Sequence, residues 1–262
     1  MIELNKIYNA ECVSFMKKYI SDKSIDLIIE DRPYGKLPKN KVKWDHSWKV
    51  EDIFKEYKRI LKDTGQIVLW GQQPMLSFVL IEALENDFEY RFEEIWEKPG
   101  STWSSNYIPL KVHEQFQVFK KIKTKVSDCT FNLKDIMGEG TPYYKDATNW
   151  NEHNAVQNLE RTKTKTIIKS DGERYPRSVL KAPSKQYMKK NERTYHPTQK
   201  SSLISDWIVK GLSNRGDVVY IPFAGSGTEI ESCIKLKRNW IATENVEEYI
   251  KNIIIPRIQR IE

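Results

Sequence analysis

Apolar positions in this chain recur with the period of a strand, then with the period of a helix, and the two patterns alternate toward both ends. Residues 7–10 read as a short strand and 12–19 as a short helix. They lead into a strand over 26–30, whose run Leu27-Ile28-Ile29 suits burial on both faces. Within 50–61, Ile53, Phe54, Tyr57, Ile60 and Leu61 share one helical face, and Lys62-Asp63-Thr64-Gly65 stops that helix. A buried strand follows over 66–70. Gly71-Gln72-Gln73-Pro74 opens a helix reaching about residue 84, and 90–97 and 114–120 read as further strands. After a long interruption come a helix over 201–212, a strand over 217–222, a helix over 227–236, a strand over 240–243 and a terminal helix over 246–260. The alternation predicts an α/β fold, a sheet flanked by helices.

The interruption is the second feature. From 124 to 193 the periodicity breaks into short polar pieces rich in Asn, Thr and Lys, with Gly138-Glu139-Gly140 among them. The chain therefore divides into halves at 1–123 and 194–262 around an insertion at 124–193. A shorter polar, Lys-rich loop spans 36–48. Charge sharpens this picture. The net charge is +7, but between Lys120 and Arg193 there are 17 Lys or Arg against 9 Asp or Glu, so the rest of the chain is close to −1. The same segment carries Tyr143, Tyr144, Trp150, Tyr175 and Tyr187. Cations for phosphates interleaved with aromatics for bases make a nucleic-acid-contacting surface, although a solvated lysine-rich face has the same composition. Lys163, Lys165, Arg174, Arg177, Lys181 and Lys185 are its candidate contacts.

Composition excludes other classes. With 39% hydrophobic and 30% charged residues the chain has the make-up of a globular domain. No stretch approaches the roughly 18 apolar residues of a membrane span, and Met1-Ile2-Glu3-Leu4-Asn5-Lys6 lacks signal-peptide features, which predicts a cytoplasmic protein. Cys12, Cys129 and Cys233 are scattered, as are His46, His113, His153 and His196, so neither a disulfide framework nor a metal site is expected.

Two motifs carry chemistry. Asp31-Arg32-Pro33-Tyr34 closes the strand over 26–30, and an acid, a proline and an aromatic at the carboxyl edge of an α/β sheet suit the binding of a flat, amine-bearing ring. An exposed Asp in a plain turn would leave the same trace. The second motif is Phe223-Ala224-Gly225-Ser226-Gly227-Thr228, where a strand passes through a glycine turn into a helix. Gly225 and Gly227 allow positive φ and close approach of a ligand to the backbone, though such a turn can simply pack. The G-x-G-x-x-G spacing of a dinucleotide site is absent, because Ile230 stands at its third glycine. Glu244 ends the next strand, where an acid can accept ribose hydroxyls, and a ribose-bearing ligand without pyrophosphate points to S-adenosylmethionine.

Together with His196-Pro197-Thr198-Gln199-Lys200, these stretches resemble the DNA amino-methyltransferases that methylate the exocyclic amine of adenine or cytosine, and their order is that of the family's beta group. The resemblance covers most of the chain outside the basic middle. It implies a Rossmann-like methyltransferase sheet with circularly permuted motif order, a target-recognition insertion, S-adenosylmethionine as cofactor and DNA as partner, a flipped base as target, and adenine before cytosine. It also brings a homodimer and a cognate restriction enzyme into view as partners. By resemblance, Asp31 accepts a hydrogen bond from the target amine, the carbonyl of Arg32 takes the second N–H, Pro33 belongs to the same tetrapeptide, and Tyr34 stacks on the base. Phe223 to Thr228 and Glu244 would hold the cofactor. Thr198 and Lys200 would meet its carboxylate, and Glu11 would lie on its ribose or adenine side. Trp70-Gly71 and His113-Glu114 match weaker pocket-lining motifs, and Tyr175-Pro176-Arg177-Ser178-Val179-Leu180 would edge the DNA cleft.

Two positions depart from the family pattern. Arg32 stands where proline is usual, keeping the carbonyl but bringing a cation that pairs with either Glu30 or Asp31. Ile221 stands where an aspartate is usual, removing a carboxylate expected near the cofactor, at a cost of about 1–3 kcal/mol if that contact is real. These changes support a second reading, an impaired methyltransferase fold that binds DNA or a partner subunit. Methylation of single-stranded RNA, which needs no flipping, is a third.

Overall fold

The structure is a computed structural model, and it describes residues 2–35, 49–100, 106–139, 143–146 and 167–261. The loop at 36–48, Trp150, Lys163 and Lys165 lie outside the described residues. In chain order come β1 (Lys6–Asn9), α1 (Cys12–Tyr19), β2 (Ile25–Glu30), α2 (Ile53–Ile60), β3 (Leu61–Gly71), α3 (Met75–Glu85), β4 (Phe88–Glu97) and β5 (His113–Lys121). Four short strands follow, β6 (Gly138–Glu139), β7 (Tyr143–Asp146), β8 (Ile167–Ser170) and β9 (Glu173–Arg174). The chain continues through β10 (Val179–Lys181), α4 (Ser202–Leu212), β11 (Val218–Ile221), α5 (Thr228–Lys235) and β12 (Asn239–Glu244). It ends in a helical run of α6 (Glu247–Tyr249), a π turn (Ile250–Ile254) and α7 (Ile255–Gln259).

Eight strands form one sheet in the order β1-β12-β11-β2-β3-β5-β4-β10, and β5 alone runs against the others. Its two faces bury separate apolar layers. Cys12, Phe15, Ile28, Phe54, Tyr57, Ile67, Leu76 and Val79 fill the layer beneath α1, α2 and α3. Leu27, Ile29, Val68, Trp70, Phe116, Ile208, Val219 and Ile254 fill the layer beneath α4, α5 and the C-terminal run. Alternation along β2 produces this split, because residues 27 and 29 point to one face while 28 and 30 point to the other. Helices on both faces of a mostly parallel sheet are the expected Rossmann-like arrangement.

Three expectations needed revision. Residues 62–65 were to stop a helix before a strand at 66, yet β3 begins at Leu61, whose partner across a bulge is Ile25. The terminal helix is widened by a π turn beside Pro256, which has no N–H for the carbonyl one turn back. The insertion is also shorter than 124–193. A smaller compact unit spans Leu133–Arg177, while Met1–Asn132 and Ser178–Glu262 form the larger one. Residues 179–181 are drawn into the main sheet because β10 pairs with β4, and the Trp96 indole donates to the Ala182 carbonyl at 2.9 Å. In the smaller unit β6 pairs with β9 and β7 with β8, both antiparallel.

Candidate active site

From β2 the chain crosses through α2 to β3 on one side, and from β11 it crosses through α5 to β12 on the other. The carboxyl ends of neighbours β2 and β11 therefore flank the switch point of the sheet, where α/β folds open a crevice. A cleft holding about 1050 Å³, part of it open to solvent, lies there. Asp31 to Tyr34 line one wall, Phe223 to Ser226 with Glu244 and Asn245 line the other, and Gln72, Glu114, His196, Thr198, Lys200, Glu229 and Tyr249 complete it.

The alternation of β2 continues past its end and sorts the tetrapeptide. Glu30 and Arg32 turn toward the layer beneath α2 and α3, and both are 1% exposed. Arg32 donates through Nε to Glu30 Oε1 and through Nη2 to Oε2 at 3.0 Å, lies 3.9 Å from Glu82 Oε2, and sits over the Phe54 ring. Burial works against this guanidinium, but Glu30 outweighs it and holds the Arg32 pKa above its ordinary value. The off-pattern cation is thus an element of the core, and its partner is Glu30 rather than Asp31.

Asp31 points the other way, into the cleft. Its Oδ1 accepts from the Tyr34 hydroxyl at 2.9 Å and from Lys200 Nζ at 2.8 Å, and Oδ2 lies 2.7 Å from the same ammonium. Lys200 also reaches Glu114 Oε2 at 3.3 Å and lies 5.2 Å from the centre of the Trp70 ring. Lys98 pairs with the other oxygen of Glu114. Burial raises the Asp31 pKa, and Lys200 opposes that rise. Burial would also raise Glu114, but Lys200 and Lys98 hold it down at about 2. For Lys200 burial disfavours the charge, yet Asp31 and Glu114 together keep it above the ordinary lysine range. The ammonium expected to meet a cofactor carboxylate is therefore already engaged by two carboxylates of the chain.

On the opposite wall, Gly225 has φ +49° and Gly227 φ +71°, conformations that side chains resist. A Cβ on Gly225 would lie 3.2 Å from His196 Nε2, whereas one on Gly227 would meet Ile254 at 3.4 Å. Gly225 serves the cleft, and Gly227 serves packing. Glu244 accepts from the Gly225 N–H through Oε2 and from the Val246 N–H through Oε1, both at 2.9 Å. Backbone amides of Gly225, Val246 and Asn245 thus fix its carboxylate in the wall. Glu229, in the first turn of α5, accepts from Ser205 Oγ at 3.0 Å. Burial, then Lys200, Lys185 and Arg257, press the His196 pKa down to about 3, so its ring is neutral near pH 7.

Among the described residues, Asp31, Glu114, Glu229 and Glu244 line the cleft against the one ammonium of Lys200, since the Arg32 guanidinium is turned away. Such a lining repels a pyrophosphate and complements a cationic ligand, which fits the sulfonium and ammonium of S-adenosylmethionine. Most of the expected residues meet here. Glu11 does not, because both its oxygens cap α1 through Val13 N and Ser14 N at 2.8 Å. Thr228 is fully buried behind the wall, accepting from Arg257 Nη1 at 2.9 Å. Ile221 is 1% exposed in the apolar layer, so its position faces the core rather than the cleft. Lys181 is exposed on edge strand β10, while Lys185 donates to the His196 carbonyl at 2.8 Å. Arg177 is exposed and Arg174 half-buried in the smaller unit. Sequence reasoning left out Glu229, whose place two residues after Gly227 is a readable helix-start signal, Asn245, which directly follows Glu244, and Gln72 and Tyr249, for which no local signal exists.

The profile of a family described as DNA methylase matches residues 25–255. The chain belongs to the DNA methylase family. Type II methyltransferase M.HpaI of Haemophilus parainfluenzae is 29% identical over 248 residues, spanning 89% of this chain and 68% of that protein. DNA adenine methyltransferase YhdJ of Escherichia coli is 28% identical over 260 residues, spanning 95% and 81%. Among solved structures, the M1.HpyAVI-SAM complex superposes with a TM-score of 0.63 at 23% identity, covering 96% of this chain and 98% of that one. The cytosine-N4-specific PvuII DNA methyltransferase gives 0.59 at 14% identity, with 98% and 92% covered. At these identities the structural likeness is one of fold.

Proposed function

We propose that this DNA methylase transfers the methyl group of S-adenosylmethionine to the exocyclic amine of a base in DNA, adenine in preference to cytosine. The observation that carries this reading is Asp31 at the switch-point cleft, facing an acid-rich wall built around Gly225 and Glu244. When bound, S-adenosylmethionine supplies an electrophilic methyl group on a sulfonium centre. The residues of this chain do the positioning. Glu244 receives a ribose hydroxyl on the acceptor capacity its amide partners leave, and the acidic lining offsets the cationic charge. Asp31 accepts one N–H of the target amine and the Arg32 carbonyl the other, drawing the nitrogen lone pair out of conjugation and aiming it. Fixed acceptors of this kind work mainly by orientation and preorganised electrostatics. The Tyr34 ring stacks on the extruded base and offsets part of its unstacking, a cost of about a few kcal/mol.

Three considerations support adenine and DNA: Asp at the head of the tetrapeptide, the adenine-methylating relative YhdJ, and the concentration of positive charge between Lys120 and Arg193. Lys163, Lys165, Arg174, Arg177, Lys181 and Lys185 are the phosphate contacts in this proposal. It extends to a restriction enzyme of matching specificity and to a homodimer, the latter tested by light scattering of the purified chain. The enzymatic test is transfer of labelled methyl groups to duplex DNA by the wild type and by Asp31→Ala. We expect transfer by the former, none by the latter, and cofactor binding by both in calorimetry. A wild type that binds cofactor and DNA without transfer supports the impaired reading, and preferential labelling of RNA supports the third.

A further inference from the structure

The Asp31 carboxylate carries an internal partner before any substrate arrives. Its Oδ1 already accepts twice, from Tyr34 and Lys200, whereas Oδ2 receives the Lys200 ammonium alone at 2.7 Å and keeps one lone pair. The ammonium is steadied on its far side by Glu114, and Glu114 in turn by Lys98, giving a row of alternating charges from the residue after β4 through β5 into the cleft. Lys200 is 4% exposed, so these carboxylates rather than water are its main partners.

Resting on the methyl-transfer reading above, we propose that Lys200 and Glu114 are positioning residues for Asp31: the Lys200 ammonium keeps the half-buried carboxylate ionised and turns Oδ2 toward the target amine, while Glu114 limits how much of that ammonium Asp31 receives. This gives Lys200 a task distinct from binding a cofactor carboxylate. Among the described residues, the charged or titratable groups facing Asp31 are Lys200 ahead of α4, Glu114 on β5, Tyr34 on its own loop and Glu229 at the start of α5. Only Lys200 among them favours the ionised form by charge. Removing it leaves a half-buried carboxylate among acids, which takes up a proton more readily and becomes a weaker acceptor for an amine. Removing Glu114 has the opposite effect, because it withdraws a repelling charge and releases Lys200 wholly to Asp31.

The test reads Asp31 directly, without cofactor or DNA. Carboxyl carbon resonances of Asp-labelled full-length protein are followed against pH, with Asp31→Asn assigning the signal. Lys200→Met moves the Asp31 midpoint up by about one pH unit or more, and Glu114→Gln moves it down. Opposite signs separate positioning from mere destabilisation, which moves neither. Should Lys200→Met fail to fold, Glu114→Gln decides alone. A midpoint unmoved by Lys200→Met, or unmoved or raised by Glu114→Gln, overturns the proposal. Where the wild type is active, the acid limb of its kcat profile moves with the resonance, and Lys200→Arg restores it. A lower affinity for S-adenosylmethionine in Lys200→Met with no change at Asp31 assigns Lys200 to the cofactor instead. Absence of methyl transfer in the wild type leaves the resonance test standing, so failure of the functional reading is distinguishable from failure of this one.

Discussion

Replacing Arg32 by Met tests the claim that the off-pattern cation belongs to the core. The guanidinium and the Glu30 carboxylate are both 1% exposed and joined by two hydrogen bonds, so truncating the cation strands a buried carboxylate. Breaking such a pair on one side costs about 3–5 kcal/mol, against a total stability of about 5–15 kcal/mol for a typical domain. At roughly 2–4 °C per kcal/mol for a domain of this size, the melting temperature should fall by roughly 6–20 °C. The double substitution Glu30→Leu with Arg32→Met removes both charges and should recover most of the loss, since apolar replacement of a buried pair is often neutral or stabilising. The assay is equilibrium urea unfolding of the wild type, Arg32→Met, Glu30→Leu and the double variant, closing a thermodynamic cycle. A cost below about 1 kcal/mol for Arg32→Met, or additive single effects in the cycle, refutes the buried pair. A normal melting temperature with a large change in KM would place the guanidinium in the cleft after all.

Further predictions concern charge elsewhere. Burial lifts the pKa of Glu94 on β4 to about 7, and its Oε2 has no hydrogen-bond partner among the described residues. With the folded pKa above the ordinary 4.5, its contribution to stability is complete below that value and is lost as pH rises through about 7. Glu94→Gln should therefore abolish part of the decline in urea midpoint between pH 5 and 8, and an unchanged decline contradicts this origin. Lys181 is 80% exposed at its side chain and only loosely paired with Glu97 at 3.7 Å. If it meets a phosphate, Lys181→Ala lowers the slope of log affinity against log salt by about 0.9, uniformly across DNA sequences. An unchanged slope removes Lys181 from the interface. Gly225→Ala puts a methyl group against His196 in a strained conformation, so cofactor affinity should fall while Gly227→Ala acts mainly on stability. Calorimetry and melting curves on the pair check the division.

Much of the fold could be read locally. The run Leu27-Ile28-Ile29, the helical face of Phe54 and Tyr57, and the turn at Gly225 each announce themselves within a few residues, and they placed β2, α2 and the β11-to-α5 turn. What escaped depends on distant partners. β10 has three residues and too little pattern to stand out; it exists because the edge of β4 receives it. Lys200 and Asp31 are 169 residues apart, so their pairing is a product of topology, not spacing. Arg32 is the instructive case. Extending the alternation of β2 by two residues puts it with Ile28 and Glu30, so its direction was legible even though its partner was not. Ile221 is similar: in a four-residue strand that ends in the apolar layer, an isoleucine suits the core, where it lies 1% exposed.

The most direct test of the central claim is nucleoside analysis of duplex DNA after incubation with the protein and S-adenosylmethionine carrying a labelled methyl group. Label is expected in N6-methyladenine, with none when Asp31 is replaced by Ala. Label confined to N4-methylcytosine would contradict the choice of base. Unlabelled DNA from a folded, cofactor-binding wild type would contradict the enzyme.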